Sequence, residues 1–435
     1  MSDIKYKNLI LDFSLLLNAA QKPIQILDAI KWNEGTEDFI VKNNFKEMPK
    51  IDYRDFPLKY DPHKKLQEFS ELRLKIARGL GNNDPLGNIL IRNCLQYEDV
   101  VHMLMNRGNK EFYQYSKKLY GSPTELMNDG KTKLSDLASI MNTLLNSLDE
   151  TQLGEVCEND LTAEYVVEQL SMRLEKFFTG ENIKVKLSDG IISDASAGSD
   201  YIKIKKGMMF SRRDLDIFEV HEGWVHLGTT LNGLNQPFAK WLSKGPPCST
   251  VTQEGLAVTM ELFNFALFPR RAKRLNNRLI ACQMVEDGAN LLELISFFRE
   301  KGQSDQNAIR NAGRIFRGTT LEGGAPFTKD IAYLKGFVMI YNFMRTTIKE
   351  GRADLIPFLF TGKVTLDDLP VLFDYHKEGV ISLPKYLPPQ IRDLNGLAIW
   401  MAFSNFLNRM KLEDIMQVKS NEKLDLKKLE SKKIA

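Results

Sequence analysis

A chain of 435 residues has room for two or three domains, or for one large helical body carrying an inserted sheet. Its composition, 43% hydrophobic and 26% charged, is that of a globular protein and excludes a fibrous or disordered chain. A net charge of +3 is too mild to announce a nucleic-acid partner.

The opening stretch, Met1–Ala20, is broken by Asp12 and has no small-residue cleavage site, so it reads neither as a signal peptide nor as a membrane span. No other apolar run reaches membrane length, and the cytoplasm is the expected compartment. The cysteines, Cys94, Cys157, Cys248 and Cys282, are widely spaced with no CxxC pair, as reduced thiols would be. The first 60 residues carry little pattern beyond a proline-rich connection at 48–62. Leu66, Phe69, Leu72 and Ile76 then predict a helix over 63–79. Further helices are expected at 97–107, 110–119, 134–148 and 162–178, the last closed by Gly180.

The texture changes after Gly180. Segments 183–187, 190–197 and 201–205 alternate or are short and rich in small residues, with Asp-Gly and Gly-Ser-Asp turns between them. They predict a small antiparallel sheet, a structural meander or an edge to which an extended peptide adds. Ser211 and Asp214 have capping-box spacing and start the next helix, with Leu215, Phe218 and Val225 facing inward. A loop over 232–247 leads to a second helix from Ser249 or Thr250, where Thr250 and Gln253 repeat that spacing. Helices follow at 272–299, 306–314 and 328–349, the last after a glycine-rich turn at 318–326. The lysine- and glutamate-rich tail from Lys411 reads as a solvated helix or a frayed end.

The chemistry concentrates in two stretches, HEGWVH at 221–226 and TQEGLA at 252–257. Two of the chain's five histidines, His221 and His226, fall in the first, with Glu222 directly after the first imidazole. Two imidazoles and the Glu254 carboxylate form a two-His, one-carboxylate zinc site with an open fourth position. Glu222 is then the general base for the water that zinc activates. The spacing imposes a geometric demand. Five residues advance an α-helix by about 500°, leaving the rings about 140° apart. A π-turn at Glu222–Val225, eased by Gly223, is required to bring them together, and a regular α-helix there excludes the site. His63, His102 and His376 have no such setting.

These residues resemble the QEGLA-motif family, which includes the bacterial flavohaemoglobin expression-modulating proteins and the eukaryotic microtubule-associated tyrosine carboxypeptidases. Further blocks carry the resemblance: Arg107-Gly108 with Phe112, Ser116 and Tyr120-Gly121; Asn232-Gly233 with Gln236-Pro237; Arg314 with Arg317-Gly318; and Phe327 to Gly336. It covers roughly 50–350. The resemblance implies one zinc per chain on His221, His226 and Glu254, Glu222 as the catalytic residue, and a carboxypeptidase or related metallopeptidase acting on a peptide or protein C-terminus. Removal of a terminal tyrosine belongs to the eukaryotic branch and is not carried over. Where the family has Ile-Gly-Thr inside HExxxH, this chain has Gly-Trp-Val, which makes Trp224 the odd residue of the motif.

A carboxypeptidase also needs a cation for the terminal carboxylate and a donor for the developing oxyanion. Arg314, Arg317 and Lys329 are candidates for the first and Tyr333 for the second. The expected fold is α+β, predominantly α-helical, with the small antiparallel sheet preceding the metal-binding helix, as in a zincin-like metallopeptidase. Its expected parts are a helical region over 1–180, a metallopeptidase core over 181–345 and a helical region with a charged tail over 346–435. Two other functions stay open: a regulatory or binding protein that keeps the zinc site without catalysis, and a zinc hydrolase of a non-peptide amide or ester.

Overall fold

The computed structural model describes residues 3–154, 157–191 and 193–409. The lysine-rich tail and Ile192, inside the expected second strand, lie outside them. Helices begin where the chain supplies caps. In α2 (Pro62–Leu80) the Asp61 carboxylate accepts from the N–H groups of His63 and Lys64, with proline at the first helical position. The same Asp-Pro device starts α3 (Pro85–Met105), twelve residues before the expected start at Tyr97. The unpatterned N-terminus forms α1 (Asp3–Gln21), which buries Ile10, Phe13 and Leu17. Next come α4 (Glu111–Tyr120), α5 (Leu134–Asn146) and α6 (Ala163–Phe177), the last capped by Thr162.

Three strands follow, β1 (Lys184–Ser188), β2 (Ala195–Ala197) and β3 (Tyr201–Lys205), in the order β1-β3-β2. β2 and β3 pair antiparallel as expected, whereas β1 lies parallel to β3. Ile202 and Ile204 point into the core against α6, and Tyr201, Lys203 and Lys205 alternate on the other face. β2 is left as an edge strand.

Ser211 and Asp214 form the expected capping box and start one long helix in three parts. These are α7 (Arg212–Ile217), a π-helical segment (Phe218–Leu227) and α8 (Gly228–Asn235). α9 (Ser249–Phe263) starts as expected, but Thr250 and Gln253 do not cap it. The Gln253 side chain instead accepts a hydrogen bond from Thr229 Oγ1 at 2.8 Å. After it come α10 (Pro269–Glu286), α11 (Leu291–Glu300), α12 (Asp305–Phe316), a 3₁₀ turn (Thr328–Ile331) leading into α13 (Ala332–Lys349), and α14 (Asn395–Leu407).

Two glycines set how closely α9 and α13 cross. A Cβ on Gly255 would sit 2.1 Å from the carbonyl carbon of Gly336, and one on Gly336 would sit 2.1 Å from the Val251 oxygen. Only hydrogen fits at this crossing. One hydrophobic cluster runs from Ile10 on α1 through Leu256 and Met260 on α9 to Met401 on α14, so the helix that carries the second motif is held by both ends of the described chain. Phe327 adds edge contacts to Phe112 and Tyr120, at 5.6 Å between ring centroids in each case. Among the described residues no helix is long and apolar enough to cross a membrane.

Candidate metal centre

The π-helical segment answers the demand of the five-residue spacing. It is longer than the single bulge expected at Glu222–Val225, extending over ten residues, Phe218–Leu227. His221 and His226 meet edge to face, their centroids 4.7 Å apart, where a regular helix would turn them away from each other. Gly223 contributes by packing: a Cβ there would lie 2.5 Å from Leu174 Cδ2, so the absence of a side chain lets the segment press against α6.

The first turns of α9 bring a carboxylate to the pair as the third group. Glu254 Oε2 stands 3.4 Å from His221 Nε2 and 3.7 Å from His226 Nε2. One ligand atom from each of the three lies within 4.8 Å of the others. Glu254 is buried, and its Oε2 has no hydrogen-bond partner among the described residues. Burial favours the neutral acid, but the Lys329 ammonium and the two imidazoles outweigh it and hold the carboxyl well below its ordinary range. A buried carboxylate oxygen with no partner, facing two imidazole nitrogens, matches the nitrogen and oxygen donors that zinc prefers. The residues fit a zinc ion.

A layer behind these groups was not found in the sequence. Glu261, fully buried, accepts from His221 Nδ1 at 2.7 Å and is itself gripped by Arg271, whose Nη2 lies 2.9 Å from the same oxygen. That contact orients the ring so that Nε2 faces Glu254. Burial opposes the Glu261 charge, yet Arg271 and His221 bring its pKa down to about 2. Burial likewise opposes a charge on His221, and the carboxylates of Glu254 and Glu261 still push the imidazole up to about 10. The His221 shift registers the negative field that these two buried carboxylates set up at its ring. The signal for Glu261 was present: it stands two helical turns after Glu254, a charge inside an otherwise apolar helix.

Lys363 was also missed. Its Nζ donates to the His226 carbonyl at 2.8 Å, to Gln253 Oε1 at 2.9 Å and to Thr229 Oγ1 at 3.0 Å, tying the π-helical segment to α9. Burial, only partly offset by Glu254 and Glu222, lowers this ammonium to about 7.

Glu222 points off the three-residue cluster. Its Oε2 accepts from the Ala197 backbone N–H at 2.8 Å, which places this carboxylate beside edge strand β2. The other candidates separate. Lys329 Nζ stands 3.3 Å from Glu254 Oε1. Tyr333, buried, stacks on His221 with 6.4 Å between centroids. Arg314 makes two hydrogen bonds to Asp330, at 2.6 and 2.8 Å, and is occupied there. Arg317 is buried with its Nε unpaired among the described residues. Arg278, not singled out in the sequence, joins them over the Tyr333 ring at 5.0 Å. Arg271, Arg274 and Arg278 recur at three- and four-residue spacing along α10, a polar stripe that turns inward.

Trp224 lies outside the cluster, stacked on Phe177 at 5.4 Å between centroids. Two of the family blocks serve the scaffold. Arg107 donates to the carbonyls of Leu104, Ala29 and Phe56, and Asn232 binds the backbone of Phe360 and Tyr386.

The family model described as microtubule-associated tyrosine carboxypeptidase matches residues 37–409. The chain belongs to that family. The match extends past the expected 50–350 at both ends and takes in Lys363. No curated protein matches the chain significantly.

Proposed function

We propose that this member of the family is a zinc-dependent carboxypeptidase of zincin-like design. His221, His226 and Glu254 hold the metal and Glu222 acts as general base. The observation that supports it most directly is the π-helical segment, a rare local structure placed where the histidine spacing requires it. Bound at this site, zinc supplies a Lewis acid for the scissile carbonyl and lowers the pKa of water toward about 7.

The chain's own residues do the rest. Glu222, oriented by the Ala197 amide, takes the proton of the attacking water and delivers it to the leaving amine. The free edge of β2 offers an extended peptide a partner beside that carboxylate. Tyr333, whose ring stacks against that of His221, supplies a hydroxyl for the developing oxyanion. The cations around Asp330 receive the terminal carboxylate of the substrate. Glu261 and Arg271 keep His221 aimed.

The test is hydrolysis of a peptide library with free C-termini by zinc-loaded protein, with Glu222→Gln as the matched control. Sequential release of C-terminal residues by the parent and none by the variant is expected. A zinc-loaded parent that releases nothing overturns the reading.

A further inference from the structure

Four cations, Arg278, Arg314, Arg317 and Lys329, surround two carboxylates, Glu254 and Asp330. Their assignments are unequal. Arg314 is locked on Asp330 by its paired hydrogen bonds, and that mutual attraction holds the Asp330 carboxyl far below its ordinary range against burial. Lys329 faces Glu254. Arg278 reaches Asp330 only at 3.9 Å, too far for a hydrogen bond, and its Nε is buried without a partner. Arg317, only 4% exposed, has its Nε in the same state. Burial first, then repulsion from Arg314, brings both guanidiniums down to about 10. Buried guanidiniums are normally fully hydrogen-bonded, so two whose Nε donors are unmet among the described residues, one of them only loosely paired with Asp330, mark a place prepared for an anion.

We infer that Arg278 and Arg317 are the pair that binds the substrate's terminal carboxylate, while Arg314 serves to pin Asp330 beneath them; this rests on the carboxypeptidase reading. The location suits the role. Arg278 lies over one face of Tyr333, and Tyr333 stacks on the ligand His221, so one ring separates the anion site from the metal centre. A C-terminal residue spans from scissile carbonyl to carboxylate over about 4 Å, given standard backbone dimensions. Were Glu254 to engage zinc, Asp330 would be the one of these two carboxylates left facing the four cations, and an incoming carboxylate would restore the balance. Among sequence candidates, Arg317 is kept, Arg314 becomes a positioning residue and Arg278 is new.

The experiment compares one peptide as free acid and as C-terminal amide on zinc-loaded parent, Arg278→Met, Arg317→Met, and the charge-keeping Arg278→Lys and Arg317→Lys. Zinc content and thermal midpoint are recorded for each. The parent should prefer the acid. Each Met variant should raise KM for the acid about 10- to 100-fold, the worth of a charged hydrogen-bonded contact, and so lower the acid-to-amide ratio by a similar factor. The Lys variants should fall between. Loss of folding would lower both substrates together and leave the acid-to-amide ratio intact. A ratio within about threefold of the parent in folded variants overturns the inference. Calorimetric titration with N-acetylphenylalanine and its amide gives a reading independent of turnover. A parent that binds the acid selectively but cleaves nothing keeps the anion site and sinks the peptidase reading. A parent that distinguishes acid from amide in neither assay sinks both.

Discussion

Replacing Gly336 by alanine puts two effects in opposition. Alanine favours a helix over glycine by about 1 kcal/mol, so on propensity alone the variant is more stable. The crossing with α9 argues the reverse: the new Cβ would sit 2.1 Å from the Val251 oxygen and 2.8 Å from the Gly255 Cα and N. Ordinary contact begins near 3.4 Å, so α13 and α9 must separate by about 1 Å, and overpacking of this kind costs about 1–3 kcal/mol or more. The steric term wins. Gly336 touches no candidate ligand, but its partner Gly255 follows Glu254 directly, and metal sites tolerate only about 0.2 Å of ligand displacement. Gly336→Ala should therefore lower the urea midpoint and weaken zinc binding at least tenfold in a chelator competition. Gly255→Ala, which clashes from the other helix, should do the same. If Gly336→Ala raised stability and left zinc affinity unchanged, the crossing would not be what positions Glu254.

Other outcomes follow from the same geometry. Glu222→Gln should keep zinc but lower kcat by about 10²- to 10⁴-fold, the usual contribution of a general base, read from single-turnover rates at saturating peptide. Glu261→Gln leaves Arg271 without its carboxylate and His221 with a neutral amide in place of its charged acceptor. Zinc affinity should fall about 10- to 100-fold, and adding Arg271→Met should recover stability but not affinity. Asp330→Asn should destabilise the protein at pH 7 by about 3–5 kcal/mol, since it strands buried arginines. Because the folded-state Asp330 pKa is depressed, its stabilisation is present above about pH 4 and fades as pH falls below that value. The gap in urea midpoints between parent and variant should accordingly narrow from pH 7 to pH 3.

Much of the site was legible because its residue types are scarce and its spacing is wrong for an α-helix. Two histidines five apart around a glutamate are either unrelated or joined by a distorted turn, and the second reading demanded a π-turn at Glu222–Val225, which lies inside the longer segment observed. The capped helices were legible too: α2, α5, α6 and the Ser211 start were placed within a few residues. α1 was not, because it buries residues on a face that its sequence does not mark, and tertiary packing decides it. The parallel pairing of β1 was hidden because alternation says which face a strand buries but not which neighbour it takes. Glu261 and Lys363 reach the site from 40 and 137 residues away from the histidines they contact, and only the fold reveals such pairings.

Trp224 shows how far a motif reading reaches. A bulky residue inside HExxxH has two possible uses, as packing for the scaffold or as a wall of the site. The Trp224 ring stacks on Phe177, at the end of α6, and so ties the π-helical segment to that helix. Gly223 presses against Leu174 on that same helix. The Gly-Trp pair thus works as one unit: the glycine lets α6 approach and the tryptophan holds it there. The family's Ile-Gly-Thr places its glycine one position later, at the site of Trp224. Gly223 is buried against α6 and Trp224 packs beside it on Phe177, so the small residue and the packing residue occupy adjacent positions between the two histidines. On this argument Trp224→Gly alone should loosen the segment and weaken zinc binding, whereas replacing 223–225 by Ile-Gly-Thr fails unless Leu174 is trimmed to make room for the isoleucine. Zinc affinity of the triple replacement, with and without Leu174→Ala, decides between a packing role and a pocket-wall role: recovery in the second protein supports packing, and equal affinity in all four proteins refutes it.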